Sequence, residues 1–286
     1  MSGAADDAGA GAGASAPASA ASTEPTEPGL RVVDPWLELR RFTPARIGLG
    51  RAGDALATKD QLALRLAHAQ ARDAVHAALD VDAIRGALDG HEVLHVRSAA
   101  PDRATYLQRP DLGRVLAEGE AARLRSAAVP VEAKGGPAVG ATSGFDLAFV
   151  LADGLSPVAV QEHAASVLRA TVSALPGWSV APVVVATQAR VALGDPIGEA
   201  IGARFVVVLV GERPGLSAAD SLGLYLTYEP RTGRRDSERN CISNVRPPVG
   251  LSYEAAGHKL ATLLREGLRL GLTGVGLKDE GPSLGA

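Results

Sequence analysis

Apolar positions in this chain fall into short unbroken runs punctuated by glycine and proline. The run Phe205 to Val210 stops at Gly211 and is followed by Glu212, Arg213, Pro214 and Gly215. A β-branched run bounded in this way reads as a fully buried strand. Burial on both faces suits the middle of a parallel sheet. Ligands of open α/β sheets sit beyond the carboxyl ends of such strands, which makes the Gly211–Ser217 loop the first candidate for a site. Further strands are expected at Glu92–Arg97, Phe145–Ala152, Val180–Ala186 (with Pro182 near its start) and Leu222–Tyr228. Helical spacing appears between them. Ser156-Pro157 opens a helix running to about Leu175, Ile197–Gly202 is a short one, and Ser252 caps Tyr253–Leu270. Earlier in the chain, Thr58 is placed to cap a helix over Lys59–Leu79 with Leu62, Leu66, Ala69 and Val75 as its apolar stripe, and Asp82–Leu88 follows as another helix. Strand–helix alternation after residue 144 implies parallel pairing with right-handed crossovers.

The pattern divides the chain. Residues 1–30 are Ala, Gly, Ser and Thr with only acidic charges, and cannot bury enough apolar surface to offset their ordering entropy, so a disordered tail is expected. Residues 31–127 read as a mostly helical region, 128–143 as a Pro/Gly-rich linker, and 144–286 as a Rossmann-like α/β domain whose parallel sheet is flanked by helices. With 286 residues, a net charge of -3 and 46% hydrophobic residues, there is ample chain for a core and no basic excess for a nucleic-acid surface. No apolar run approaches the roughly 20 residues of a membrane span. The start of the chain lacks the pattern of a secretory signal, and a single cysteine, Cys241, excludes an internal disulfide. These features favour a soluble cytoplasmic protein.

Candidate chemistry is sparse. Asp153-Gly154-Leu155-Ser156 and Gly211-Glu212-Arg213-Pro214-Gly215-Leu216-Ser217 each set a carboxylate beside glycine and upstream of serine. Glycine lets a backbone approach a ligand, and a carboxylate accepts from its amides or hydroxyls. The same pattern also serves as turn chemistry and a helix cap, and spacing leaves both readings open. Gly48, Gly50 and Gly53 match G-x-G-x-x-G, but Pro44 stands where the preceding strand should be, so a Gly-rich turn is the better reading. Asp89-Gly90-His91 starts like the D-x-H-x-x-G signature of base-off cobalamin proteins, but Leu94 replaces the closing glycine. His68 and His76 are too far apart for the one-turn pair of metal motifs, and no metal site is expected. No nucleophile elbow, zincin motif or Walker loop is present, and nothing in the spacing joins Cys241 to His163 or His258. The residues alone indicate a ligand-binding α/β domain without visible catalytic machinery.

Longer strings add to this. TPARIGLGRAG (43–53), QLALRLAHAQARDAVH (61–76), YLQRPDLGR (106–114), FDLAFVLADGLS (145–156), RVALGDPIGE (190–199), VVVLVGERPGLS (206–217) and NCISNVR (240–246) resemble the ethanolamine ammonia-lyase light chain (small subunit) over about Asp34 to Glu280. The resemblance implies a helical N-terminal region and a Rossmann-like domain that holds adenosylcobalamin, base-on, against a large chain, in a heterododecamer. It implies that the large chain carries the ethanolamine site, and that a deoxyadenosyl radical from the cofactor drives deamination to acetaldehyde and ammonia. It places cofactor contacts at Val191, Glu212 and Cys241, with no catalytic residue on this chain. It further implies a cytoplasmic enzyme associated with a bacterial microcompartment; the Ala/Gly-rich tail here has no amphipathic stripe. Two other readings stand beside it: a self-contained nucleotide-dependent α/β enzyme using Gly48, Gly50 and Gly53, and a purely structural scaffold subunit in which the Gly211–Gly215 loop is only a turn.

Overall fold

The computed structural model describes residues 35–128 and 144–278. The expected tail, 1–30, and all but the first residue of the expected linker, 128–143, lie outside the described residues. The chain forms two compact units, one ending at Gly48 and one beginning at Leu49. In the first, helix α1 (Pro35–Leu39) runs into a 3₁₀ turn at Arg40–Phe42. Arg40 Nε donates to the Ile47 carbonyl at 2.8 Å and Nη2 donates to the Gly48 carbonyl, folding the segment back on itself.

The second unit is mixed α/β. It begins with a small antiparallel hairpin, β1 (Arg51–Ala52) and β2 (Ala55–Leu56), followed by helices α2 (Thr58–His76) and α3 (Val81–Ala87). Then come β3 (Val93–Arg97), α4 (Arg103–Gln108), α5 (Glu120–Ala127), β4 (Phe145–Ala152), α6 (Pro157–Ser173), β5 (Val183–Thr187), α7 (Gly194–Ile201), β6 (Ala203–Gly211), β7 (Leu222–Tyr228), β8 (Asn240–Val245) and α8 (Tyr253–Leu270). One six-stranded sheet runs β3-β5-β4-β6-β7-β8. The first four strands in that order are parallel; β7 and β8 are antiparallel additions. The expected parallel sheet is found as a mainly parallel one, extended by two antiparallel strands. The physical reason is the connection after β6: only a short excursion separates Gly211 from Leu222, which permits an antiparallel return but no crossover helix. The N-terminal strand β3 pairs with β5, so residues on both sides of the 128–143 segment share this sheet.

Alternation explains why the central strands read as continuous apolar runs. Leu147, Phe149 and Leu151 of β4 and Phe205, Val207 and Leu209 of β6 face one layer, built from α6 and α8. Ala148, Val150 and Ala152, with Val206, Val208 and Val210, face the other, under α5 and α7. Both sets are buried, as a sheet covered on both faces requires. The helices end as their caps dictate. Ser156 Oγ accepts from Ala159 N, Ser252 Oγ from Ala255 N, and Gly202 and Gly271 close α7 and α8 in left-handed conformations.

Three local expectations change. Helix α2 starts at Thr58 itself, with Ala57 at the cap position and no capping side chain. Its buried residues are Ala67, Ala71 and Ala74, whereas Leu62 and Leu66 are 57% and 60% exposed. The small alanine row lets the helix seat closely, and the leucines point away from the body. Finally, Arg103–Gln108, to which the pattern assigned no element of its own, is helix α4, started by Asp102 accepting from Thr105 N.

Candidate cofactor site

The two carboxylate loops have different roles. Asp153, at the end of β4, is buried, and its oxygens accept from Gln188 N and Ala189 N, both at 2.8 Å. Arg103 Nη1 lies 3.5 Å from the same carboxylate and donates to the Gly154 carbonyl at 2.8 Å. Asp153 therefore ties the β4 and β5 ends together and has no face left for a ligand. Burial pushes its carboxyl above the usual range, against the opposing pull of those amides and Arg103. The neighbouring glycines serve the same junction. A Cβ on Gly211 would overlap the Ser156 carbonyl and come within 2.8 Å of the Asp153 carbonyl, and one on Gly154 would overlap the Gly211 carbonyl. Here close approach is backbone to backbone.

Glu212 is different. Its amide donates to the Ser221 carbonyl, which sets it in the return from β6 to β7. Ser221 Oγ donates to Oε2 at 2.5 Å and Ser243 Oγ to Oε1 at 2.6 Å. A Cβ on Gly223 would stand 2.8 Å from Oε1, so a glycine in β7 makes the room in which this carboxylate lies. Gly223 and Tyr225 share one face of β7, and Tyr225 is paired with Cys241 on β8. Arg213, the next residue, is exposed.

Tyr225 and Cys241 line a cleft of about 260 Å³ together with Val191, Ala192, Arg190, Arg114, Asp236 and Arg239. Val191 opens a 3₁₀ turn (Val191–Leu193) between β5 and α7. Val191 and Cys241 thus meet in one cleft, and Glu212 lies on the same face of the neighbouring strands, close enough for its charge to act on Tyr225 and Cys241. Cys241 itself is in a strand that hydropathy did not reveal, because β8 exposes Cys241, Ser243 and Asn244 and buries only Ile242 and Val245.

The floor of the cleft was not anticipated. Arg239 donates through Nη1 and Nη2 to both oxygens of Asp195, at 2.6 and 2.7 Å, and through Nη1 to Thr227 Oγ1 at 3.0 Å. The two side chains are only 3% and 2% exposed. Burial pushes the Asp195 carboxyl up, and the bonds from Arg239 oppose that shift. The pair joins α7 to the segment before β8 across 44 residues of sequence. On the cleft's other side, Tyr106 is fully buried, donates to the Ala189 carbonyl at 3.1 Å, and lies between two guanidinia, with Arg190 at 4.4 Å and Arg103 at 4.8 Å from its ring centre. No spacing rule exposes these partners, since they lie far apart in sequence.

The remaining candidates separate. Among the described residues, His163 lies on α6 and His258 on α8, in the layer on the opposite face of the sheet from Cys241, so neither joins it as a base. Partial desolvation against the cleft pushes the thiol of the surface residue Cys241 up, and the Glu212 charge adds to that, against the hydrogen bond with Tyr225. Such a thiol is a poor nucleophile near neutrality. Iodoacetamide should therefore modify Cys241 in the full chain more slowly than free cysteine at about pH 7.5, with the rate still rising above the usual thiol range of about 8.5. Peptide mass spectrometry against time would show it; a rate equal to that of free cysteine contradicts the assignment. The G-x-G-x-x-G match ends in the turn of the β1–β2 hairpin, with Gly53 in the left-handed region (φ 63°), and among the described residues no βαβ unit encloses it.

Comparison with known proteins agrees with this arrangement. The family profile described as ethanolamine ammonia-lyase light chain (EutC) matches residues 33–278. The ethanolamine ammonia-lyase small subunit of Azotobacter vinelandii is 56% identical over 254 residues, covering 86% of this chain and 89% of the relative. That of Xanthomonas campestris pv. campestris is 54% identical over 251 residues, covering 86% and 88%, and that of Ralstonia nicotianae 52% over 250, covering 86% and 88%. The chain belongs to the ethanolamine ammonia-lyase light chain family.

Proposed function

We propose that this chain is the small subunit of an ethanolamine ammonia-lyase and forms one wall of an adenosylcobalamin site completed by the large chain. The observation that carries the reading is the meeting of Val191 and Cys241 in one cleft at the carboxyl end of β5, with Glu212 on the same face of the sheet beside it. The chemistry of the lining, and of Glu212 beside it, suits a corrinoid edge. The Glu212 carboxylate, fixed by Ser221 and Ser243, accepts from side-chain amides, and Tyr225 and Cys241 offer a compact, weakly polar surface. At about 260 Å³ the cleft is below the roughly 300–1,000 Å³ of sites that enclose a drug-sized ligand, so it suits an appendage of the cofactor rather than the whole macrocycle. That fits a site shared between two chains. His91 precedes β3, at the amino end of the parallel strands and away from the cleft, which favours base-on binding.

In this reading, bound adenosylcobalamin supplies the radical chemistry of the deamination. This chain's residues bind and orient it: Glu212 accepts, Cys241 and Val191 pack, and the Asp195–Arg239 pair holds the floor. The substrate site belongs to the large chain, with a heterododecamer as the proposed assembly and a cytoplasmic, microcompartment-associated location. Residues 31–127 are proposed as a mostly helical N-terminal region and 144–286 as a Rossmann-like cofactor domain.

The test is reconstitution. The purified chain should release no acetaldehyde from ethanolamine, and should do so when combined with its large chain and adenosylcobalamin. Deaminase activity without the large chain would overturn the reading. Glu212→Ala in the complex should weaken cofactor binding by roughly 1–3 kcal/mol, the cost of leaving amide donors without their acceptor. Unchanged affinity would favour a scaffold in which this loop is only a turn.

A further inference from the structure

Two guanidinia in the cleft have no carboxylate partner. Arg239, already engaged by Asp195, also lies 3.5 Å from Asp236, the one acidic side chain of the lining. Arg114 and Arg190 make no ion pair with any of the described residues. Arg190 is held from below. Its amide donates to the Gly113 carbonyl at 2.8 Å, its guanidinium stacks on Tyr106, and its Nη2 reaches the Tyr106 carbonyl at 3.4 Å. Its Nε is buried without a hydrogen-bond partner. The bond from Arg190 to Gly113 also sets the 3₁₀ turn Leu112–Arg114 beside it, so that Arg114, which is exposed, shares the same cleft. A buried N–H without an acceptor is costly, and two neighbouring cations without a counter-charge repel. The uncompensated charge of the two guanidinia is what an anion carrying several oxygen acceptors would offset.

We propose that Arg114 and Arg190 form an anion clamp for a phosphodiester, and that its occupant is the phosphate linking the nucleotide tail of the cofactor to the corrin. The assignment rests on the reading that this cleft holds adenosylcobalamin. Guanidinium–phosphate pairs are short, charge-assisted and often bidentate. Arg190, stacked on a buried tyrosine, is already fixed in place, whereas Arg114 is free to close over the anion. The clamp would make this chain the part of the enzyme that distinguishes a complete cobalamin from a corrinoid lacking the nucleotide tail.

The experiment uses the complex of this chain with its large chain and measures dissociation constants by visible absorbance for cyanocobalamin and for dicyanocobinamide, which lacks the phosphate and nucleotide. The wild-type complex should prefer cyanocobalamin. Arg114→Gln, at an exposed position, should weaken cyanocobalamin binding roughly 10-fold or more and leave cobinamide unchanged. Arg190→Gln should act in the same direction. Because Arg190 also packs on Tyr106, Arg114→Gln is the deciding variant. Equal loss for both corrinoids, no loss for either, or a defect in assembly with the large chain would overturn the clamp. A wild-type complex that binds neither corrinoid would instead overturn the cofactor reading on which it rests.

Discussion

Replacing Arg239 by alanine should destabilise the chain by about 3–5 kcal/mol, the largest loss expected of any single charged side chain here. The reason is the orphan left behind. Asp195 is 2% exposed, and both of its oxygens take their hydrogen bonds from Arg239. Without the guanidinium, the carboxylate must stay charged and unsolvated or take up a proton. Lysine should not rescue it, because an ammonium cannot reproduce two parallel N–H donors. The double variant Asp195→Leu with Arg239→Met should recover much of the loss, since replacing a buried pair by apolar groups of similar volume is often neutral. Urea unfolding of the three variants measures this directly. A loss below about 1 kcal/mol for Arg239→Ala would mean that water reaches Asp195 and that the pair is not the floor of the cleft.

Gly211→Ala is expected to be nearly as severe, at or beyond the upper end of the roughly 1–3 kcal/mol typical of overpacking. The added methyl meets main chain, not a movable side chain: it would overlap the Ser156 carbonyl and lie 2.8 Å from the Asp153 carbonyl. Relief requires the β4 and β6 ends to separate. That would stretch the bond from Leu155 N to the Gly211 carbonyl, now 2.9 Å, and displace Glu212, one residue further on. The variant should therefore lose thermal stability and, on the proposed reading of the cleft, corrinoid affinity together. Thermal unfolding followed beside corrinoid binding to the complex checks the coupling; a stable Gly211→Ala with normal affinity would show that the junction is softer than its geometry implies.

The central strands were legible because their chemistry is local. Phe145–Ala152 and Leu222–Tyr228 were read to the residue, and Ser156 and Ser252 announced their helices correctly. Strand direction was not local. The apolar run at Phe205–Val210 carries no sign that its neighbour β7 returns antiparallel, since burial on both faces looks the same in either pairing. Strand β8 escaped notice because half-exposed polar residues hide its period. In the site, Glu212 stood out as a carboxylate after a strand, and the resemblance supplied Val191 and Cys241. Arg239, Tyr106 and Arg114 did not stand out, because each acquires its meaning from a partner brought close only by the fold. Asp153 shows the converse. Its setting in sequence resembled that of Glu212, and only its burial, with Arg103 and the amides of Gln188 and Ala189 around it, reveals that it is closed to a ligand.

The first turns of α2 have a consequence for how the chain is made. From Thr58 to Leu66 no residue is buried, and Leu62, Leu64 and Leu66 are 57%, 37% and 60% exposed. Leu62 and Leu66, one turn apart on the same face of the helix, form an exposed apolar pair that favours self-association when nothing covers it. Synthesis of this chain in excess of its partner is thus a solubility liability. Translation of the two subunits in matched amounts, close in space and time, is what such a helix rewards.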